Sequence, residues 1–422
     1  MFSSIQNIEE YLQELVPKTT QLLFTGDKGV ARTKEYLSLL GSPQNQLKVI
    51  HVAGTSGKGS TSFMISKLLE SQGFSVGLHL SPHLIDIRER MMINNELISE
   101  KKFVSYFNKV FIAIEKMKHS SLGVITYFEA LVGLAYFVFT QEKVNYAVME
   151  TGLGGEFDGT NIVERQDKLA VITKIGFDHT KILGNTLSKI AHQKAMICAE
   201  KGELITIQQY PSAQREIAAV VKNKIGTLII SQKREGIDLG LLGEYQKENA
   251  SLALAVLSHM SKRDGFTIQM NFVRSVFASL RFKGRFDVIQ KKGGVTILDG
   301  AHNTQKMKAF LNSVSILYPN KKFTFVIAFK QGKEYRKMLK YIISYANKIY
   351  ITHIFSGSQD ILHQSITSQS IIAELQQMGF TAAQILDTKE EVAKIIQRED
   401  ESCIVTGSLY LLGDVYKLVA SD

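Results

Sequence analysis

The stretch that most constrains this chain is Val49-Ile50-His51-Val52-Ala53-Gly54-Thr55-Ser56-Gly57-Lys58-Gly59-Ser60-Thr61. A β-branched run enters a glycine-rich turn, and a helix follows in which Met64, Ile65, Leu68 and Leu69 repeat at helical spacing, with Gly73 placed to end it. Glycines let backbone N–H groups close around phosphate oxygens, and the helix N-terminus adds partial positive charge. Lys58 supplies a point charge for the phosphates, and Ser60 or Thr61 a hydroxyl for a phosphate or Mg²⁺. Val52 stands where a strict Walker A loop has its first glycine, so this is a shorter form, Gly-Thr-x-Gly-Lys-Gly-Ser. The stretch predicts ATP binding on Gly54, Thr55, Ser56, Gly57, Lys58, Gly59 and Ser60.

At 422 residues, 45% of them apolar, the chain has material for two or three domains with real cores. No apolar run approaches a membrane span, and Met1-Phe2-Ser3-Ser4-Ile5-Gln6 lacks the charged and apolar regions of a signal peptide. Cys198 and Cys403 lie far apart, which excludes a disulfide framework or a cysteine metal cluster and favours a cytoplasmic setting. The formal charge of +10 is spread along the chain with no basic block interleaved with aromatics. That argues against nucleic acid and for attraction of small polyanions.

In chain order, residues 5–16 read as an amphipathic helix and Phe24–Gly29 as a turn-like segment. A second helix carries Tyr36, Leu37, Leu39 and Leu40 up to Gly41. After the phosphate loop, the strand 75–79 leads to Ser81 at its carboxyl end, where ligands of open α/β sheets collect. Thr126 to Glu129 opens an apolar helix. The next strand, from Tyr146, ends on Glu150 and runs into the glycine-rich segment 151–161. An acidic residue at the end of a buried strand is poorly explained by packing, and carboxylate oxygens suit Mg²⁺. A strand from Leu169 to Thr173 leads to Asp178-His179, which beside Ser81 and Glu150 forms a candidate metal site; the following helix carries Leu187, Ile190, Ala191 and Lys194. Strands at 203–207 and 227–230 and a helix from Gln246 to about Met260 complete a first domain, 1–280. The segment 281–286 reads as a linker or hinge. Strands (295–298, 323–328, 348–352, 402–406) then alternate with helices (303–317, 334–346, 367–378, 389–397) in a smaller second α/β domain, 287–422.

Several of these segments agree with one family. The chain resembles folylpolyglutamate synthase, often bifunctional with dihydrofolate synthase, within the Mur ligase superfamily. The resemblance is carried by Gly26-Asp27-Lys28, Leu39–Pro43, Gly54–Ser60, Ser81–Leu84 with Glu89-Arg90, and Thr126–Glu129. It continues through Gly152–Gly155 with Asp158–Asn161, Asp178-His179 with Leu183-Gly184, Gln193–Ala195, Gln246 with Asn249, Gly284-Arg285, Asp299–Asn303 and Thr406–Tyr410.

The resemblance implies an α/β fold, an N-terminal P-loop Mur-ligase-like domain and a smaller C-terminal α/β domain that carries the glutamate side. Asn249, Arg285 and Asp299 complete the ATP site, and Ser81, Glu150 and His179 are the Mg²⁺ ligands. Lys194 matches a lysine that the family carbamylates, which turns a cation into an oxygen ligand for a second Mg²⁺. Thr126, Phe128 and Asp158 lie toward the folate, and His302 and Ser408 toward glutamate. Lys58, Lys194, His302 and Arg285 are the expected catalytic groups. The implied chemistry is activation of the folate's terminal carboxylate as an acyl phosphate by ATP, followed by attack of the glutamate amine. The acceptor is tetrahydrofolate alone or dihydropteroate as well, and the family is usually monomeric.

Glu156 and Phe157 stand where the family usually has Arg-Leu, Met196 replaces a glycine, Thr304 a proline, and Tyr245 a frequent histidine. Two other readings stand beside this one: a different Mur-type amino-acid ligase, and a nucleotide-binding regulator that has lost catalysis. The Thr126–Glu129 and Asp158–Asn161 segments favour folate over the first. Lys58, Glu150, His179, Lys194 and His302 favour catalysis over the second.

Overall fold

The computed structural model describes residues 1–18, 26–357, 359–360 and 364–419. They divide into two compact units. The first takes in Met1–Asp238, Lys247–Phe277 and the short piece with Gln359 and Asp360; the second takes in Leu239–Gln246, Ala278–Gly357 and the chain from Gln364 onward.

In the first unit, helices α1 (Ile5–Glu14) and α2 (Asp27–Ser38) precede strand β1 (Lys48–Ala53), and helix α3 (Lys58–Ser71) follows it. Then come β2 (Val76–His79), β3 (Met92–Ile93), α4 (Glu100–Met117), α5 (Tyr127–Gln141), β4 (Tyr146–Glu150) and β5 (Leu169–Ile172). Helices α6 (Thr180–Leu183) and α7 (Leu187–Ala195), β6 (Glu203–Ile207), α8 (Pro211–Asn223), β7 (Thr227–Ser231), α9 (Glu244–Asp264) from Lys247 on, and α10 (Met270–Ser279) up to Phe277 complete it. The seven strands run in the order β3-β2-β4-β1-β5-β6-β7, all parallel except β3. Strands β1, β2, β4 and β5 are buried almost end to end, as a parallel sheet covered on both faces demands. The main apolar cluster joins α1, α2, α4 and α5 through Leu12, Tyr36, Phe103, Phe107 and Phe139. A second cluster packs α7 and α8 on β5 and β6 through Ile190, Ile217, Ala170 and Leu204.

The second unit holds β8 (Asp287–Gln290), β9 (Val295–Leu298), α11 (Thr304–Leu317), β10 (Phe323–Ile327), α12 (Tyr335–Ile342) and β11 (Ala346–Ile351). It ends with α13 (Ser368–Gln377), β12 (Ala383–Ile385), α14 (Lys389–Ile396), β13 (Cys403–Thr406) and α15 (Leu409–Val419). Its six strands run β12-β11-β10-β13-β9-β8, again parallel but for β8 at one edge.

The expected α/β alternation is therefore present in both units, with differences at particular elements. Of the turn-like segment Phe24–Gly29, Phe24 and Thr25 lie outside the described residues. Asp27 to Gly29 instead open α2, where Asp27 sits at the favourable, positive end of the helix. That helix stops at Ser38, short of Leu40, because Ser42 N–H closes back on the Leu37 carbonyl at 2.9 Å. Strands β8 and β12 were not expected. They lie at the two edges of their sheet and are only partly buried, so neither has the continuous apolar run of a central strand.

Candidate active site

The loops predicted to carry chemistry in the first unit leave the carboxyl ends of four adjacent strands. In sheet order, Ser81 follows β2, Glu150 closes β4, the phosphate loop follows β1, and Asp178-His179 follow β5. β1 lies between β4 and β5: the chain leaves it toward β2 on one side and later passes from β4 across it to β5, a switch in direction of the kind at whose strand ends ligands of open α/β sheets collect.

The phosphate loop is tied to the segment that follows β5. Thr55 and Ser56 N–H groups donate to the Lys174 carbonyl at 3.0 and 3.1 Å, and the Thr55 hydroxyl donates to the Gly176 carbonyl at 3.0 Å. No side chain caps α3, which leaves its N-terminus to an anion. Gly57 has φ +91°, and a Cβ there would lie 2.3 Å from Oδ1 of Asn249 on α9. Asn249 thus meets the loop directly. Thr173 and Gly176, which brace the loop, carry no sequence signal beyond their position after a strand.

Glu150 is buried, and its Oε2 accepts from Ser81 N–H at 3.0 Å. The Ser81 hydroxyl oxygen is buried with no hydrogen-bond partner among the described residues. An orphaned hydroxyl beside a buried carboxylate fits a hard cation such as Mg²⁺. His179 heads α6 in the left-handed conformation, φ +51°; its ring Nε2 is 3.7 Å from Asp178 Oδ1 and its side chain is 40% exposed. Among the described residues no three His, Cys, Asp or Glu side chains gather as a ready metal cage, so Ser81 and Glu150 are the pair brought together. The turn that carries Ser81 is held by Arg90, which is wholly buried. Its guanidinium donates to His83 Nδ1 (3.0 Å), Asp360 Oδ1 (2.7 Å) and Gln359 Oε1 (3.1 Å). The Glu89-Arg90 motif had suggested no such role.

Lys194 lies on the buried face of α7 with Ile190 and Ala191. Its Nζ approaches the Gly154 carbonyl at 3.5 Å. Burial, reinforced by the Lys58 ammonium, lowers its pKa to about 7 against the pull of Asp178 and Asp158. The glycine-rich loop presses on the same helix: a Cβ at Gly155 would lie 2.4 Å from the Gln193 carbonyl and 2.9 Å from Lys194 Cα. Glu156, one of the departures from the family pattern, joins this contact. Its N–H donates to the Gln193 carbonyl and its carboxylate accepts from Gln193 Nε2, both at 2.7 Å.

The three residues expected toward the folate form a cluster with evident structural duties. Thr126 caps α5, with its hydroxyl on Glu129 N–H and its own N–H on the Glu129 carboxylate. That carboxylate also takes two bonds from Arg32, at 3.0 and 2.7 Å. Asp158 is buried and accepts from Leu153 N–H, Thr160 N–H and the Thr160 hydroxyl, yet burial still raises its pKa. Phe128 lies against Gly152 and 6.2 Å, ring to ring, from His79. His51 and His79 were not anticipated. They are fully buried, both pair in register with Met149 across β1, β4 and β2, and burial drives both pKa values down, His79 to about 4.

In the second unit the expected residues cluster at the ends of the neighbouring strands β9 and β13. Buried Asp299 accepts from Phe286 N–H (2.8 Å), Ala301 N–H (2.9 Å) and the Tyr245 hydroxyl (3.2 Å). Burial raises its pKa and the nearby Arg285 guanidinium opposes that rise. His302 places Nδ1 2.8 Å from the Gly300 carbonyl, which makes Nδ1 the donor, and Nε2 accepts from the Lys306 ammonium at 3.1 Å. Lys306 carries no motif and was missed. Ser408, also buried, accepts from Tyr410 N–H, and the adjoining Gly407 N–H donates to the Ala301 carbonyl at 3.1 Å, so the two loops are stitched together.

Comparison with known proteins bears on this arrangement. A family model described as the C-terminal domain of dihydrofolate synthetase matches residues 283–418. A dihydrofolate synthase/folylpolyglutamate synthase of Bacillus subtilis is 29% identical, over 99% of this chain and 99% of its own. A probable dihydrofolate synthetase of Schizosaccharomyces pombe is 30% identical, over 93% of this chain and 99% of its own. Among solved structures, E. coli FolC in complex with DHPP and ADP superposes with a TM-score of 0.82 at 25% identity, covering 99% of this chain and 98% of that one. With similarity along its whole length and the same architecture, the chain belongs to the folylpolyglutamate synthase and dihydrofolate synthase family.

Proposed function

We propose that this protein joins glutamate to a folate in an ATP-dependent reaction through an acyl phosphate, and that it accepts dihydropteroate as well as tetrahydrofolate. The observation that carries the ligase reading is the phosphate loop on β1 beside the Ser81–Glu150 pair and the buried amine of Lys194, all in one unit. The dual name of the Bacillus subtilis relative supports two acceptors.

In this reading the N–H groups of the loop from Gly54 to Ser60 and the Lys58 ammonium orient the ATP phosphates, and Asn249 closes the site behind Gly57. An oxygen of the acceptor carboxylate attacks the γ-phosphorus, ADP leaves, and an acyl phosphate results. The glutamate amine, having shed its extra proton, attacks the acyl carbon; the tetrahedral intermediate expels inorganic phosphate and leaves the amide. Ser81, Glu150 and His179 would hold Mg²⁺, which when bound supplies charge neutralisation at the phosphates. Lys194, whose pKa is lowered to about 7 so that a substantial share of its amine is neutral near that pH, is the proposed site of carbamylation: the neutral nitrogen adds to the carbon of CO₂ and one proton is lost. Thr126, Phe128 and Asp158 are assigned to the pterin end, Arg285 and Asp299 to the nucleotide, and His302 and Ser408 to glutamate. Among the described residues no helix is long and apolar enough to cross a membrane, and both cysteines are buried and unpaired. We assign the protein to the cytoplasm, as a monomer without nucleic-acid partners.

The test is phosphate release from ATP and Mg²⁺ with glutamate and, in separate reactions, dihydropteroate, tetrahydrofolate and a cell-wall precursor. Turnover with both pteridines and none with the precursor is expected. Turnover with the precursor alone would replace the folate assignment, and turnover with tetrahydrofolate alone would remove the second acceptor.

A further inference from the structure

Away from these loops, the first unit has a cleft of about 340 Å³ between β7, the outermost strand of the seven-stranded sheet, and the C-terminal half of α9. Its walls carry Arg234, Gln232, His259 and Lys262, with Ile229 and Ala255 as apolar surface. Neighbouring acidic groups are already matched: Glu203 is 2.9 Å from His259 Nε2, and Glu235 is 3.3 Å from Lys233 Nζ. Arg234 and Lys262 are exposed, and neither side chain has an ion-pair partner among the described residues. The serine at position 258 donates its hydroxyl proton to the Leu254 carbonyl at 2.8 Å. The donors left for a ligand are therefore the guanidinium, the ammonium and the Gln232 amide. The Arg234 stretch is not a loose tail: its N–H donates to the Ser251 hydroxyl at 2.9 Å, which pins it to the helix that also carries Asn249.

We propose that this cleft binds a small polyanion, a compound with two or more carboxylate or phosphate groups, bridged between Arg234 and Lys262. Two unmatched cations lining one cleft, one on the chain after β7 and one on α9, suit two anionic groups at once. A guanidinium takes a carboxylate or phosphate through two parallel bonds, and the apolar wall receives the body between the charges. The net charge of +10 helps bring such a ligand to the surface. The site stands independently of the ligase reading, because none of its residues belongs to the loops assigned to ATP, folate or glutamate.

Calorimetric titration of the full chain at low ionic strength tests this, with inorganic phosphate, citrate and tri-γ-glutamate as separate probes to distinguish phosphate from carboxylate ligands. At least one probe is expected to bind saturably. The double variant Arg234→Ala/Lys262→Ala should weaken that binding about tenfold or more, with its thermal midpoint and probe-free turnover unchanged. Arg234→Lys with Lys262 intact should recover most of the affinity. Lys58→Met, which removes the phosphate-loop cation, should leave it unaltered. Absence of saturable binding for all three probes overturns the proposal, as does equal affinity in the double variant or loss of binding in Lys58→Met.

Discussion

The strand-end loops of the two units are finished in different ways. In the second unit Asp299 has three donors, His302 uses both ring nitrogens, and the β9 and β13 loops are stitched by Gly407. Its polar groups largely satisfy one another. In the first unit Ser81 has an orphaned hydroxyl, α3 has no side-chain cap, and Lys194 is an amine buried where an ammonium is disfavoured. Buried polar groups without partners cost free energy that a folded chain ordinarily avoids. At the strand ends of the first unit, the Ser81 hydroxyl, the uncapped α3 and the buried Lys194 amine lie on adjoining loops, an arrangement that a ligand would complete, whereas the strand-end loops of the second unit present a preformed rim.

The largest effect expected from this contrast is loss of turnover on removing a group that awaits a ligand. Glu150→Gln and Lys194→Ala should each lower kcat by about 10³-fold or more, while circular dichroism melts stay near wild type. A short carboxylic acid supplied in solution should partly rescue Lys194→Ala by standing in for the carbamate, and should do nothing for Glu150→Gln. Near-normal turnover in either variant would mean that the unsatisfied groups are packing defects and not a site.

Gly57→Ala comes next. The new Cβ meets Asn249 Oδ1 at 2.3 Å and the backbone must keep φ +91°, so the loop and α9 are forced apart. The KM for ATP should rise roughly 100-fold, the cost of a loop shifted by a fraction of an ångström plus backbone strain of about 1–3 kcal/mol. A change in KM for the pteridine without one for ATP would move the loop's assignment.

Lys168, at the amino end of β5 and away from these loops, gives a pH test of amine burial in the same unit. It is 4% exposed, donates to Asn161 Oδ1 at 3.2 Å, and has its pKa lowered to about 8, by burial first and then by Lys224. The unfolded chain holds this proton to near 10.5. Between those values the unfolded state binds more protons, so stability rises with pH; below about 8 the destabilisation is at its full size. Lys168→Met should therefore raise stability at pH 7 by about 3 kcal/mol, with the gain fading as pH approaches 10.5. Urea melts at pH 7 and pH 10 measure the difference, and a gain independent of pH would assign it to packing instead.

Much of this was legible in the sequence because it rests on local pattern. The phosphate loop, the Thr126–Glu129 capping box and the alternation of strands with helices are set by neighbours in the chain. What escaped depends on distant partners. The buried Arg90 with Gln359 and Asp360, and the His51–Met149–His79 row, need the tertiary fold before they have any meaning. Glu156 illustrates the point. By position it is a charge reversal against the family pattern, but in the fold it is a clamp on Gln193 beside Lys194.

The smallest effect expected belongs to the second unit, at Tyr245. Its hydroxyl donates to Asp299 Oδ2 at 3.2 Å, and burial followed by the Asp299 charge raises its pKa. Tyr245→Phe removes one of the three donors to that carboxylate, while the two shorter bonds, from Phe286 and Ala301 N–H, remain. A carboxylate that keeps two backbone donors and a nearby guanidinium loses little, so the stability cost should be about 1 kcal/mol and the KM for ATP should change less than about threefold. Tyr245→His restores the residue frequent in the family at this position. If Asp299 only needs a donor here, histidine recovers the lost stability. If the ring itself matters, as its partial burial suggests, histidine leaves a partly empty space and is worse than phenylalanine. Should Tyr245→Phe instead abolish turnover, Asp299 would prove to be as dependent on its partners as Glu150, and the contrast between a preformed rim and a ligand-completed crevice would fail.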